Sequence, residues 1–583
     1  MSDFIGCFSY EDCWSLRWEG SAACYAAKDG CQVLFSGALR NRRELTELLK
    51  CPPDLPAAAL FLELYLKYGE AAGAKLNGPF CFALLSRQPE KVLLGRDQLG
   101  QSFLFYGRDA RQNLLCSNRL PLLLKQPGLC RDLDLLALQD YLGLGYIPSP
   151  RTIYQGIAKV RPASLVLFTG PQMAETSLTY WEPVYLPKRV LPWPEVGREC
   201  RRLLEQAGRR CLQEHTQANY LLSGGIDSGV VLGLTAPLQE KVGEAISIAF
   251  DHPLYDESTL AGLTAARHRL PQRVRKVTPG DIAALASLLA KSGEPFADSS
   301  LLPTHLALQT AAESAAAVFT GDGGDELFCG YRRLQFMAWR CCCLGLPAGI
   351  GQVLAKILQH GLPQPGEQRS RLANLTRMVR ALAKEKTDCY ISFQEIFSRD
   401  CRQQLLGRTQ EDDYLQRWRE VCSNYEAEDW VEKCAALDIL TYLPDDCFRK
   451  CDIAGTGLGL DILCPILDLE VAEFALTLPR RDKITLLERK RPLRQLAKEL
   501  LPAELLAQTK RGFGTPVAAW FRAELAPMLQ EMARTLPDWD TQGWLNHDYV
   551  QALVNAHLVQ NRNCAPQLWT LLCLQLWYKN NPS

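Results

Sequence analysis

The sequence of 583 residues predicts two domains of different class: an α+β domain rich in antiparallel sheet, then an α/β domain with a parallel sheet and a helical C-terminal part. Three observations predict it. The chain is about twice the ~250–300 residues at which one hydrophobic core stops growing. Its first part reads as short strands divided by turns, whereas strands and helices alternate beyond residue 196. Between them lies a polar, proline-bearing stretch.

In the first part, residues 1–185, the segments Gln32–Phe35, Phe80–Leu85, Lys91–Leu94, Phe103–Tyr106 and Leu114–Ser117 read as strands. Helical periodicity occupies Arg43–Leu49 and Ala58–Tyr68. Glu182 to Arg189, with Pro192 and Pro194 beyond, reads as the connection, and residues 186–195 are taken as the linker. The second part, 196–583, opens with a helix over Val196–Glu214 and a strand ending Tyr220-Leu221-Leu222. A glycine turn and a helix follow, then a strand over Ala245–Phe250, a helix from Glu257, and strands over Arg273–Val277 and Ala316–Thr320. Strands separated by helices imply a parallel sheet with crossover helices. From about residue 330 the chain reads as mainly helical, without repeats.

Lys and Arg number 65 and Asp and Glu 65, so no global field gathers nucleic acid or an anionic membrane, and neither is expected as a partner. No apolar run reaches the ~18–20 residues that cross a bilayer; the nearest, Cys341 to Gly351, contains Pro347. Met1-Ser2-Asp3-Phe4 lacks the basic start of a signal peptide, so a cytoplasmic protein is expected. The 23 cysteines form no C-x-x-C pair and only seven histidines accompany them, which favours reduced, buried thiols over disulfides or zinc.

Two turns carry chemistry. Leu222-Ser223-Gly224-Gly225-Ile226-Asp227-Ser228 links an apolar strand to a helix. Its glycines let backbone N–H groups turn inward, the helix offers its positive N-terminus, and Ser223 and Ser228 add hydroxyls, which together make a phosphate cradle. Asp227 would be repelled by bare phosphate, so its presence implies a bridging Mg²⁺. The second turn, Thr320-Gly321-Asp322-Gly323-Gly324-Asp325-Glu326, places three carboxylates beside three glycines after another apolar strand. Ligands of open parallel sheets lie beyond the carboxyl ends of the strands, so both turns should face one cleft. There Asp227 and Asp325 would hold Mg²⁺ while Asp322 lies near the reacting groups. Gly455-Thr456-Gly457-Leu458-Gly459 fits no nucleotide fingerprint and is expected to be an ordinary loop.

The S-G-G-x-D-S turn resembles the pyrophosphate loop of enzymes that cleave ATP between the α and β phosphates. Together with Tyr255-Asp256-Glu257-Ser258, Glu294-Pro295-Phe296-Ala297-Asp298, Tyr442-Leu443-Pro444-Asp445-Asp446, Pro465-Ile466-Leu467-Asp468 and Lys510-Arg511-Gly512-Phe513, it resembles the asparagine synthetase family. Upstream, Arg96-Asp97-Gln98-Leu99-Gly100-Gln101 and Gly145-Tyr146-Ile147-Pro148-Ser149-Pro150 resemble that family's amino-terminal half. The resemblance implies an Ntn-type αββα glutaminase fold followed by a PP-loop synthetase domain, with ATP and Mg²⁺ as cofactors. It also implies that Lys490 acts on the nucleotide and the reaction intermediates, which makes Lys490 and Asp322 the candidate catalytic residues. ATP would contact Leu222, Ser223, Gly224, Gly225, Asp227, Ser228 and Gly321.

The chain departs from the family pattern at the glutaminase positions. Ser2 stands where the family has a nucleophilic cysteine, and Ser36-Gly37-Ala38-Leu39-Arg40-Asn41 replaces the glutamine-holding run Asn-Gly-Glu-Ile-Tyr-Asn. Asp97 is retained, but the family's Ser-Glu pair is Ser117-Asn118. An inactive first domain is therefore expected. In the second domain, two family arginines are replaced by Ile453 and Leu463, which suggests a carboxylate other than aspartate. The expected reaction is ATP-dependent amide formation, using either ammonia or an amine of the substrate itself, as in the β-lactam synthetase and lasso-peptide cyclase branches. A small-molecule or peptide carboxylate is the expected substrate. A homodimer is compatible with the resemblance, and the lasso branch would add a precursor peptide and a protease as partners. Asparagine synthesis and a non-catalytic ATP-binding scaffold are the competing readings.

Overall fold

The computed structural model describes residues 2–10, 13–241, 243–343, 378–379, 381–382, 384–407, 414–507, 514–540, 542–560 and 562–581. The Lys510–Phe513 motif and most of the Cys341–Gly351 stretch lie outside them.

The amino-terminal half contains two antiparallel sheets. The first runs in the order β2 (Trp14–Gly20), β1 (Phe4–Tyr10), β8 (Leu114–Ser117), β7 (Phe105–Arg108) and β9 (Ile157–Lys159). The second runs β11 (Ala174–Thr179), β10 (Ser164–Thr169), β6 (Glu90–Arg96), β5 (Phe80–Arg87), β4 (Cys31–Gly37) and β3 (Tyr25–Lys28). The period-two geometry of a strand sorts side chains between faces. Phe4 and Phe8 of β1 join Leu34, Ala83 and Val92 of the second sheet in a shared core, whereas Ile5 points to the opposite face. Helices Arg42–Leu49 and Ala57–Tyr68 cover the outer face of the second sheet, with Phe61 4.3 Å from Phe82 between ring centroids. On the far side, Leu120, Leu123, Leu138 and Leu142 from two further helices pack with Phe105 and Leu115. The layers run helix, sheet, sheet, helix.

Several strands escaped the sequence reading. Phe103–Tyr106 is shifted to Phe105–Arg108, and β1, β2, β3, β9, β10 and β11 were not foreseen. For three of them composition gives the reason: all six residues of β11 are exposed, β1 carries glycine, cysteine and serine among its apolar residues, and β2 carries serine, arginine, glutamate and glycine. The helix expected from Val196 begins at Trp193, inside the expected linker, because Pro194 occupies the first turn, where a missing N–H costs nothing.

The second half holds a five-stranded parallel sheet in the order β14 (Gln272–Val277), β13 (Ala245–Phe250), β12 (Asn219–Leu221), β15 (Ala317–Phe319) and β16 (Asp461–Leu463). The edge strand β16 lies in the region read as helical; at three residues it is too short for any periodic signal. It follows the Gly455–Gly459 segment, whose Gly457 and Gly459 take positive φ in an open loop. Among the described residues no helix is long and apolar enough to cross a membrane.

The halves are joined by buried polar contacts. The Ser149 N–H and hydroxyl both donate to Asp445 at 2.7 Å, so two of the recognised motifs clasp each other. Asp468 accepts from Asn77, and Lys159 pairs with Glu294 at 2.8 Å.

Candidate active site

The sheet order places β12 beside β15, with β13 and β14 running off one side and β16 the other. The crevice at the carboxyl ends of β12 and β15 is thus a topological switch point, where open α/β sheets take their ligands. Both glycine turns begin there.

In the first turn the Ser223 hydroxyl lies 3.2 Å from that of Ser228 and accepts the Gly225 N–H at 3.1 Å. Gly225 caps the helix Ile226–Thr235 without any side-chain bond, leaving first-turn N–H groups for a ligand. The second turn is glycine-rich because the first presses into it. A Cβ on Gly321 would lie 2.5 Å from the Ser228 nitrogen, and one on Gly324 2.7 Å from the Asp227 carboxyl carbon. A Cβ on Gly330 would lie 1.8 Å from Lys490 Cε and 2.1 Å from Asp325 Oδ1. At Gly321 the neighbour is backbone, whereas at Gly324 and Gly330 the Asp227, Asp325 and Lys490 side chains would have to move.

Lys490 is held at φ 54°, ψ 38°, a left-handed conformation that costs a non-glycine residue on the order of 1 kcal/mol or more. Its Nζ donates to Asp227 Oδ2 and to Asp325 Oδ1, the latter at 2.7 Å. The ammonium marks a point that two carboxylates reach together. Such a pair suits Mg²⁺, which takes one or two protein carboxylates and completes its octahedron with phosphate oxygens and water. Among the described residues no group of three or more His, Cys, Asp or Glu could hold a metal by itself.

Leu222, Ser223, Gly225, Asp227, Ser228, Gly321, Asp322 and Asp325 line one cavity of about 1230 Å³. Gly224 does not; its Cβ would lie 3.1 Å from Leu260 Cβ, so it lets the turn pack on the helix Ser258–Arg267. Lys490 is buried behind the wall, while its neighbours Arg489 and Leu487 line the cavity. Asp322 accepts a weak bond from the Cys451 thiol at 3.7 Å.

Other residues in this wall had no assigned role. Glu326 accepts from the Tyr331 hydroxyl and, at 3.6 Å, from the Cys447 thiol. Burial, reinforced by the neighbouring Asp325 charge, raises its carboxyl to about 7. Arg333 stacks on Tyr331 at 3.7 Å and pairs with Asp438 at 3.0 Å. Lys450 lines the cavity and pairs with Asp298 at 3.4 Å. Glu326 stood in view as the third carboxylate of the second turn; Lys450 had no local signal, since its partner is more than 150 residues away.

One sequence expectation, drawn from two residues, needs correction. Ile453 and Leu463 are packed in the core, 1% and 0% exposed, and neither lines the cavity. Their apolar character is explained by packing, and it says nothing about substrate charge.

In the amino-terminal half, Asn118 fastens the first residues in place. Its carbonyl accepts the Phe4 N–H at 2.9 Å, and its amide donates to the Ser2 carbonyl at 3.1 Å and the Ser36 hydroxyl at 3.3 Å. Gly37 takes φ 147°, and a Cβ there would lie 2.2 Å from the Pro79 carbonyl oxygen. Asp97 is fully buried; its two oxygens accept the N–H groups of Gln101 and Ser102 at 2.9 and 2.8 Å. Burial raises its carboxyl to about 6, against the pull of Arg96.

Residues 199–579 match the family model described as asparagine synthase, and residues 24–181 match a glutamine amidotransferase domain. "Asparagine synthetase [glutamine-hydrolyzing] 1" of Bacillus subtilis is 24% identical, over 94% of this chain and 85% of that one. "Amidase chry2" of Gibberella zeae is also 24% identical, over 81% of this chain and 74% of its own length. The B. subtilis glutamine phosphoribosylpyrophosphate amidotransferase structure with ADP and GMP aligns at a TM-score of only 0.21 and 9% identity, covering 46% of this chain and 59% of that one, a likeness that supports no inference. The match across residues 199–579, most of the chain, places it in the asparagine synthase family, as an ATP-dependent amide-forming ligase.

Proposed function

We propose that the second half, from about residue 196, adenylates a carboxylate and passes the acyl group to an amine in the cavity between the two turns. The observation that carries this is the interlocking of those turns: Asp227 and Asp325 meet one cation, with Ser223, Gly225 and Ser228 beside them. The serine hydroxyls and the N–H groups of the helix N-terminus would hold the β and γ phosphates. Mg²⁺ held by Asp227 and Asp325 would neutralise charge on the leaving pyrophosphate. A carboxylate oxygen attacks the α phosphorus, the α–β bond breaks, and pyrophosphate leaves. The amine then attacks the acyl carbon, AMP departs with the former carboxylate oxygen, and the amine proton passes to a base. Asp322, lining the cavity, is the carboxylate nearest that role, and Lys490 donates to the developing negative charge, a contribution of ~3 kcal/mol in a water-poor site. Ile246, Ile248 and Phe250 of β13 supply an apolar wall suited to the adenine base.

We read the layered first half as an Ntn-type domain that does not hydrolyse glutamine. Ser36 is bonded to Asn118 and Asp97 to its own turn, so the surviving polar groups of that site have internal partners. The nitrogen then comes from an amine of the substrate or from free ammonia. Pyrophosphate exchange into ATP, measured across a panel of carboxylates, tests the reading. Exchange should require Mg²⁺ and disappear in Lys490→Met. Conversion of aspartate and ammonium to asparagine at a rate above all other carboxylates would favour the activity named for the Bacillus relative.

A further inference from the structure

Resting on that ligase reading, the wall of the cavity beyond the phosphate turns identifies the class of carboxylate. The helix Arg332–Cys343 begins just after the second turn, and its Phe336 and Trp339, one turn apart, both face the cavity. Phe393 meets Phe336 edge to face at 5.2 Å and lines the same space, as does Met378. Leu486 and Leu487 adjoin this helix in the lining, on the segment that runs directly into Lys490. That segment is pinned to the helix: the Leu486 carbonyl accepts the Gln335 amide and the Trp339 indole N–H, both at 3.1 Å.

The result is a preformed apolar annex, continuous with the reaction centre. Leu487 is 91% exposed and Trp339 50%, so both present apolar surface on the cavity side. The volume agrees, because about 1230 Å³ exceeds the ~300–1,000 Å³ of an ordinary small-ligand pocket and leaves room beside a nucleotide. Aspartate offers nothing apolar to fill such a space. We propose that the carboxylate adenylated by this enzyme carries a bulky apolar body, a long alkyl or aryl group, which lies in this annex during both half-reactions.

Non-reactive acyl-adenylate mimics test this directly. In N-acylsulfamoyl adenosines the adenosine is constant and the acyl group is varied through acetyl, butanoyl, octanoyl, 4-phenylbutanoyl and aspartyl. Binding to the full-length protein is measured by calorimetry. Affinity should rise by up to about four-fold per methylene that becomes buried, so that octanoyl and phenylbutanoyl exceed acetyl by at least thirty-fold and aspartyl by more. In Trp339→Ala, a substitution at a half-exposed site, the octanoyl affinity should fall toward the acetyl value while circular dichroism stays unchanged. A flat series, or aspartyl as the tightest member, overturns the apolar body and leaves the ligase standing. If no member binds, the adenylating reading itself falls.

Discussion

Gly330 offers the sharpest test of the active-site geometry because a single methyl group should disable chemistry while leaving the fold. Its backbone cannot retreat: the Gly330 N–H donates to the Asp325 carbonyl at 2.7 Å, and its carbonyl accepts Arg489 Nη1 at 2.7 Å. Its φ is ordinary, so alanine meets no conformational barrier. The new Cβ would nonetheless lie 1.8 Å from Lys490 Cε and 2.1 Å from Asp325 Oδ1. Carbon atoms settle at about 3.5–4.0 Å, so the lysine end must withdraw by roughly 2 Å. A misplacement of about 1 Å can cost 100-fold in rate, and Gly330→Ala should therefore lower ATP–pyrophosphate exchange by 100-fold or more. The displaced atoms are ends of flexible side chains, and alanine recovers about 0.4–1 kcal/mol of unfolded-state entropy. The net loss of stability should stay near 1–2 kcal/mol, a shift of a few degrees in Tm. Exchange is measured with whichever carboxylate the unmodified protein uses best, and thermal unfolding in parallel. If the variant keeps more than a third of the exchange rate, the position of Lys490 does not limit the reaction and its proposed role is wrong.

Three further outcomes follow from the same geometry. Asp325→Asn removes one of the two carboxylates that meet at Lys490, so ATP affinity measured with Mg²⁺ should fall at least ten-fold while affinity in EDTA changes far less. Glu326, raised by burial from 4.5 to about 7, holds its proton more tightly in the folded chain than in the unfolded one. Its contribution to stability is therefore complete below pH 4.5 and is lost as pH rises through 7, by about 3 kcal/mol in all; Glu326→Gln should flatten Tm over that interval, and an unchanged slope would show that the proton is not held there. Incubation with glutamine should release no glutamate, with or without ATP, when followed by an amino-acid assay.

What could be read from the chain depended on whether the relevant neighbours were close in sequence. The strand, glycine turn and helix around Ser223 are local, and their chemistry was legible residue by residue. Two helices of the first half, Arg42–Leu49 and Ala57–Tyr68, announced themselves by periodicity, whereas Leu120–Leu124 and Leu135–Leu144 were missed and β11, exposed along its whole length, gave no pattern to detect. Lys490 was found only through family resemblance, since nothing near it explains why a lysine sits in a left-handed conformation 160 residues after the glycine it touches. Ile453 and Leu463 show the opposite failure: a difference from the family was given a chemical meaning, but both side chains are core packing.

That correction moves the question of substrate from missing charges to the surface that is present. A pocket for free aspartate needs cations facing both its carboxylates and a partner for its ammonium. Three of the basic residues in and behind the cavity wall are held by carboxylates: Arg333 pairs with Asp438, Lys450 with Asp298, and Lys490 with Asp227 and Asp325, while Arg489, on the lining, donates to the Gly330 carbonyl. The wall beyond them carries Phe336, Trp339, Leu486 and Leu487 together with Gln335 and Arg489. An acyl chain placed there would be desolvated against Phe336, Trp339 and Leu486 while its carboxylate reached the α phosphorus. Binding energy from the remote apolar end would then be available to hold the reacting atoms in line for the adenylation.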